Sequence, residues 1–75
     1  MTFEISKGFP PSRESAIAEL CVRHDGVVDI PAEVYREDGQ VKISIFGREG
    51  GLVWKYSVDD WVGAIRRAVE VLGDE

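Results

Sequence analysis

Apolar residues recur along this chain with two different periods, and the change between them marks out its elements. Between Arg13 and His24, the residues Ala16, Ile17, Leu20, Cys21 and His24 follow the i, i+3, i+4, i+7 spacing of a helix lying on a core. Ser12 would cap this helix, Glu19 and Arg23 would pair on its wet side, and Gly26 would end it. From Val28 the period falls to two. Val28, Ile30, Ala32 and Val34 alternate with Asp29, Glu33 and Tyr35, as in a half-buried strand. Pro31 lacks the N–H that a ladder needs, so this strand is expected at an edge or bulged at that point. Ahead of the first helix, Thr2 to Ser6 alternates with Phe3 and Ile5 on one side, a short strand or arm stopped by Gly8, Pro10 and Pro11.

Turn chemistry then sets a register. Asp38-Gly39 suits both positive-φ positions of a type I′ turn. A two-residue loop there pairs Glu37 with Gln40, Val34 with Ile43 and Ala32 with Ile45, which puts all four apolar residues of the last two pairs on one face. Arg48-Glu49-Gly50-Gly51 reads as a second, four-residue hairpin loop, pairing Gly47 with Leu52, Ile45 with Trp54 and Ile43 with Tyr56. Both loops agree on one buried face, and a one-residue slip would invert it. Ser57 opens a final helix, with Asp60 at capping-box spacing and Tyr56 and Trp61 placed as a hydrophobic staple. Its buried stripe is Val58, Trp61, Val62, Ile65, Ala68, Val69 and Leu72, and Gly73 closes it.

The expected fold class is α+β: a two-layer sandwich in α-β-β-β-α order, with a three-stranded antiparallel sheet, two helices on one face and a possible short N-terminal strand. At 75 residues the chain makes a single domain, with an arm or short strand over 1–11 and a frayed tail over 73–75. The helix, three strands, helix order resembles the double-stranded RNA-binding domain. That family places a basic cluster at the start of its last helix, where this chain has Ser57, Val58, Asp59 and Asp60. The resemblance therefore implies a shared topology without the family's nucleic-acid function.

Fourteen acids against nine bases give a net charge of −5, which disfavours nucleic acid and anionic membranes as partners. One cysteine excludes an internal disulfide, and no apolar run is long enough to cross a bilayer. The expectation is a complete, cytoplasmic chain that works without cofactor or metal and acts on no small-molecule substrate. Cys21, His24 and Asp25 have the residue types of a nucleophilic site, but a small hydrophobe and a helix-end histidine account for the same pattern. Glu37-Asp38 lies at a turn and Asp59-Asp60 in a first helical turn, so neither pair needs a catalytic explanation. Gly47, Gly50 and Gly51 lack the Lys and Ser/Thr of a phosphate loop. No enzyme is expected.

What remains is the sheet face turned away from the helices. The register sends Glu33, Tyr35, Lys42, Ser44, Phe46, Val53 and Lys55 there, with Phe46 opposite Val53 and Lys42 opposite Tyr35. An apolar patch rimmed by Glu33, Lys42 and Lys55 marks a surface for a partner protein or a second copy. The N-terminal arm, with Phe3, Ile5 and Phe9, is the alternative cover for that face, and cross-strand pairing alone is another account of its composition. The expected function is thus a non-enzymatic interaction module, an adaptor or an immunity-type or phage-type inhibitor, binding through Glu33, Tyr35, Lys42, Phe46, Val53 and Lys55. Two alternatives stand beside it: nucleic-acid binding through Lys42, Lys55, Arg48, Arg66 and Arg67 with stacking on Tyr35 and Phe46, or acidic mimicry of a phosphate backbone.

Overall fold

Two Asp-Gly pairs organise the first half of the molecule. A computed structural model describes residues 3–11, 15–47 and 53–73, and in it Asp25-Gly26 and Asp38-Gly39 adopt almost the same backbone. Their φ values are 51° and 76° in the first pair and 54° and 75° in the second, the left-handed region that a type I′ turn requires. The first turn joins strand β2 (Ile17–His24) to β3 (Val27–Glu37), and the second joins β3 to β4 (Gln40–Ile45). Strand β1 (Phe3–Gly8) precedes them and helix α1 (Val58–Leu72) follows. The four strands form one antiparallel sheet in the order β1-β2-β3-β4.

The expected α-β-β-β-α sandwich is therefore corrected to four strands followed by one helix among the described residues. Residues 17–24 are a strand, not a helix, and residues 53–57 do not join the sheet. The likeness in element order to the double-stranded RNA-binding domain goes with them. The first error has a clear cause. Ala16, Ala18, Leu20 and Val22 are buried on one side of β2, and Ile17 and Cys21 are buried on the other. A strand with buried apolar residues on both sides reads as a nearly continuous apolar run, and such a run also satisfies helical spacing.

The β3–β4 register is the expected one, with Glu37 against Gln40, Val34 against Ile43 and Ala32 against Ile45. Pro31 sits at a bulge: Leu20 pairs with Ala32 and Val22 with Asp29, so Cys21 alone faces Ile30 and Pro31. The extra residue inverts the alternation of β3 before the bulge. Asp29 shares a side with Val22, Ala32 and Val34, while Val28 lies opposite, so the expected single stripe of Val28, Ile30, Ala32 and Val34 is broken. β3 is nonetheless an interior strand. The Phe46 N–H still bonds the Pro31 carbonyl, and the Phe46 carbonyl, which receives no N–H from Pro31, accepts from Trp54 Nε1 instead.

One sheet face carries the core. Phe3, Ala16, Ala18, Leu20, Val22, Ala32 and Val34 meet Ala64, Ala68 and Leu72 of α1, with Ile5, Trp61, Ile65 and Val69 packed at their margin. Alanines on both layers let backbone approach backbone. Ser57 caps α1 as expected, its Oγ accepting from the Asp60 N–H at 3.1 Å. Tyr56 and Trp61 stack at 5.7 Å with ring planes 2° apart, completing the staple. At the other end Gly73, with φ of 75°, donates its N–H to the Val69 carbonyl. The buried line runs through Ala64, Ala68 and Leu72, so the expected stripe is displaced: Val58 is 75% exposed and Val62 39%.

Candidate protein-interaction surface

The face of the sheet away from α1, the outer face, holds four of the six residues expected to bind a partner. Tyr35 lies between Ile17 of β2 and Lys42 of β4, and Glu33 between Glu19 and Ser44. Ser44 Oγ donates to the Tyr35 hydroxyl at 3.3 Å, and Lys42 Nζ donates to Glu37 at 2.9 Å. Phe46 continues the same side of β4 and is 40% exposed. Neither ring lies beneath the helix. The N-terminal arm does not cover this face either, because Phe3 and Ile5 belong to the core on the inner face.

Val53 and Lys55 are elsewhere. The expected hairpin loop at 48–51 and its Gly47–Leu52 pair lie outside the described residues, but Trp54 and Tyr56 do not continue a ladder along β4. Residues 53–57 instead cross the inner side of the sheet. Trp54 Nε1 donates to the Phe46 carbonyl at 3.0 Å beside β4, and Tyr56 meets Phe3 on β1 with ring centroids 4.8 Å apart. Val53 and Lys55 thereby line a shallow hollow with Val22, His24 and Asp29. Four aromatic rings explain the crossing: Trp54 stacks on Tyr56, Tyr56 on Trp61, and Phe3 sits edge-on to both Tyr56 and Trp61. Such contacts each contribute about 0.5–1.5 kcal/mol beyond the area they bury, which competes well with one more pair of ladder bonds.

This crossing leaves β4 as an edge with no strand beyond it among the described residues. It also leaves the inner side of β4 only partly covered. Helix α1 packs chiefly on β1 and β2 and less on β3. Arg67 donates to the Phe3 carbonyl, which turns one flank of the helix to β1 and the opposite flank, with Val58 and Val62, to β4. Between that flank and the edge runs an apolar channel. Val41, Ile43 and Ile45 form its floor, 42%, 38% and 64% exposed. At one end it deepens to a cleft of about 270 Å³ lined by Ile45, Trp54, Tyr56, Val58 and Trp61. Sequence reasoning assigned Ile43, Ile45, Trp54, Tyr56, Val58, Trp61 and Val62 to the buried side and did not weigh Val41.

The alternative chemistries fare differently. A strand places residues three apart on opposite faces. Cys21 is buried toward the outer side, while His24 lines the hollow on the inner side and its Nδ1 lies 3.5 Å from Asp25 in the turn. Burial pushes the Cys21 thiol up, and the carboxylates of Glu19 and Glu4 push it further, so this thiol is held in its protonated, unreactive form. The bases proposed for nucleic acid are dispersed: Lys42 engages Glu37, Arg67 holds Phe3, and Arg48 lies outside the described residues. No helix of the described residues is long and apolar enough to cross a membrane. Against protein-family models, curated proteins and solved structures alike, the chain finds no match.

Proposed function

We propose that this chain is a non-enzymatic protein-interaction module, acting by occupying a protein surface through the channel between β4 and α1. One observation carries the reading. Val41, Ile43 and Ile45 on the inner side of β4 and Val58 and Val62 on α1 each keep at least a third of their surface in water, and Ile45 and Val58 line one cleft. Full burial of such a side chain contributes roughly 1.5–3 kcal/mol, and a core of this size supplies only about 3–5 kcal/mol of net stability. A domain so short of burial gains little from an apolar channel left open. Contiguous apolar surface of this kind marks interaction sites. The outer face, with Tyr35 and Phe46, offers a smaller and more polar surface and ranks second.

The two faces separate by mutation. The pair Ile45→Lys with Val58→Lys charges the channel without touching a buried residue, and Tyr35→Ser with Phe46→Ser alters the outer face. Association of the purified chain, by light scattering, and its capture of proteins from a native extract are measured together. The channel pair is expected to lose association with circular dichroism unchanged, and the outer pair to keep it. Full retention of association by the channel pair, or no association of any kind by the unmodified chain, overturns the reading.

A further inference from the structure

We infer that the occupant of the channel is a second copy of this chain, joined edge to edge through antiparallel pairing of the two β4 strands. The inference rests on the interaction-module reading and names its partner. It begins from the backbone. In an antiparallel ladder, hydrogen-bonded pairs alternate with pairs that are not bonded. Phe46 donates to the Pro31 carbonyl at 2.8 Å, so residues 46, 44, 42 and 40 direct their N–H and C=O groups at β3. Val41, Ile43 and Ile45 direct theirs to the opposite edge, where no strand follows among the described residues. The same three residues carry their side chains into the channel. Backbone donors and acceptors and apolar side chains thus face one prospective strand together, the requirement for sheet extension.

β4 is also self-complementary in one register. With Ile43 opposite its own counterpart, Val41 meets the second copy's Ile45 and Ile45 meets its Val41, each a bonded pair. The outer side then sets Lys42 against Ser44, with no like charges opposed. Sliding the strands so that Lys42 faces Lys42 opposes two ammonium groups directly. Sliding the other way sets Val41 against Gly47 and leaves it without an apolar partner. Charge and apolar pattern therefore select the same two-fold arrangement, an eight-stranded sheet with both helices on one side and the two channels joined. The other edge is unlike this one. The inner side of β1 is covered by α1, its Phe3 carbonyl is held by Arg67, and its Glu4 pairs with Arg23. β4 carries neither proline nor bulge, and its one charge, Lys42, is engaged by Glu37.

Net charge gives the dimer a signature. Two chains of −5 repel, so salt strengthens their association, whereas binding of this acidic chain to a basic partner weakens with salt.

Three measurements on the full chain test the inference. Light scattering of the purified protein is expected to give twice the monomer mass, with dissociation on dilution shifting to lower concentration in 0.5 M salt. Ile43→Lys and Ile43→Glu, each opposite itself in the dimer, are each expected to be monomeric, and an equimolar mixture to recover the dimer mass. That recovery also shows that both variants fold. In a Cys21→Ala background, Ile43→Cys should form a disulfide-linked dimer under mild oxidation, since bonded pairs hold Cα atoms about 5.5 Å apart. Val41→Cys alone and Ile45→Cys alone should not, their own counterparts being about 14 Å away, while the two mixed should. A monomer at all concentrations, a dimer that survives Ile43→Lys, or crosslinking in a different pattern overturns the inference. If that monomer still binds another protein through the channel, the module reading stands; if it binds nothing, both fall.

Discussion

Ala64 and Ala68 have no solvent-accessible surface, and with Ala18 and Ala32 they set how closely α1 lies on the sheet. Ala68→Leu adds volume where both layers are backbone and should cost at least 1–3 kcal/mol, read as a lower urea midpoint. Val58→Ala, on a residue 75% exposed, should leave that midpoint within about 0.5 kcal/mol of its original value. Cys21 makes a pH prediction. Its thiol is raised in the folded state by burial and then by Glu19 and Glu4, so the folded chain holds that proton more tightly than the unfolded one. The stabilisation is complete below the ordinary thiol value of about 8.5 and is lost as pH rises through the higher folded value. Between pH 7 and pH 10 the urea midpoint should therefore fall more steeply for the natural chain than for Cys21→Ala; parallel profiles would contradict this. At this scale the sequence was least informative about β2. Ile17 and Cys21 carry the same apolar character as Leu20 and Val22, and nothing in side-chain type tells which layer a residue faces.

Among the elements, glycines separate two kinds of backbone demand. A Cβ at Gly39 and one at Gly63 would both project into open space, so packing does not distinguish them. Gly39 has φ of 75° in a turn, whereas Gly63 lies inside α1. Gly39→Ala should destabilise by about 1–2 kcal/mol through left-handed strain, and Gly63→Ala should stabilise by about 0.5–1 kcal/mol. Thermal melts of the two variants should move in opposite directions. The hairpin at Asp38-Gly39 and the capped start of α1 were legible because each depends on neighbours within four residues. Asp25-Gly26 carries the same turn chemistry, but a helix ending in glycine explained Gly26 as well. The dipeptide alone cannot choose between them. What chooses is β1 on one side of β2 and β3 on the other, a long-range condition.

For the whole molecule, the decisive fact is one helix over four strands. A helix about 10 Å across covers two strands spaced 4.7–4.9 Å apart and part of a third. β4 is what remains. Its backbone parity predicts a hydrogen-exchange pattern for the dilute monomer: the amides of Lys42 and Ser44, bonded to β3, should exchange slowly, and those of Val41, Ile43 and Ile45 quickly. Raising the concentration should protect the second set and leave the first unchanged. Equal exchange of the two sets in the monomer would show that the edge is already occupied. The candidate surface was legible only in part. Tyr35, Lys42 and Glu33 reach the outer face as their alternation requires, and Phe46 extends it. Val53 and Lys55 miss it because the segment carrying them follows its aromatic neighbours across the inner side.

Taken alone, the amino-acid order settled the parts governed by local backbone energetics: the β3–β4 turn and its register, the break in pairing at Pro31, and both ends of the last helix. Tertiary structure decided that β2 is a strand, that Trp54 and Tyr56 stack across the sheet instead of pairing with β4, and hence that an apolar edge stays open. The reason is that hydrophobic periodicity reports which side of an element is dry only when the other side is wet. β2 buries apolar residues on both of its sides, and β4 has an apolar side that stays partly exposed.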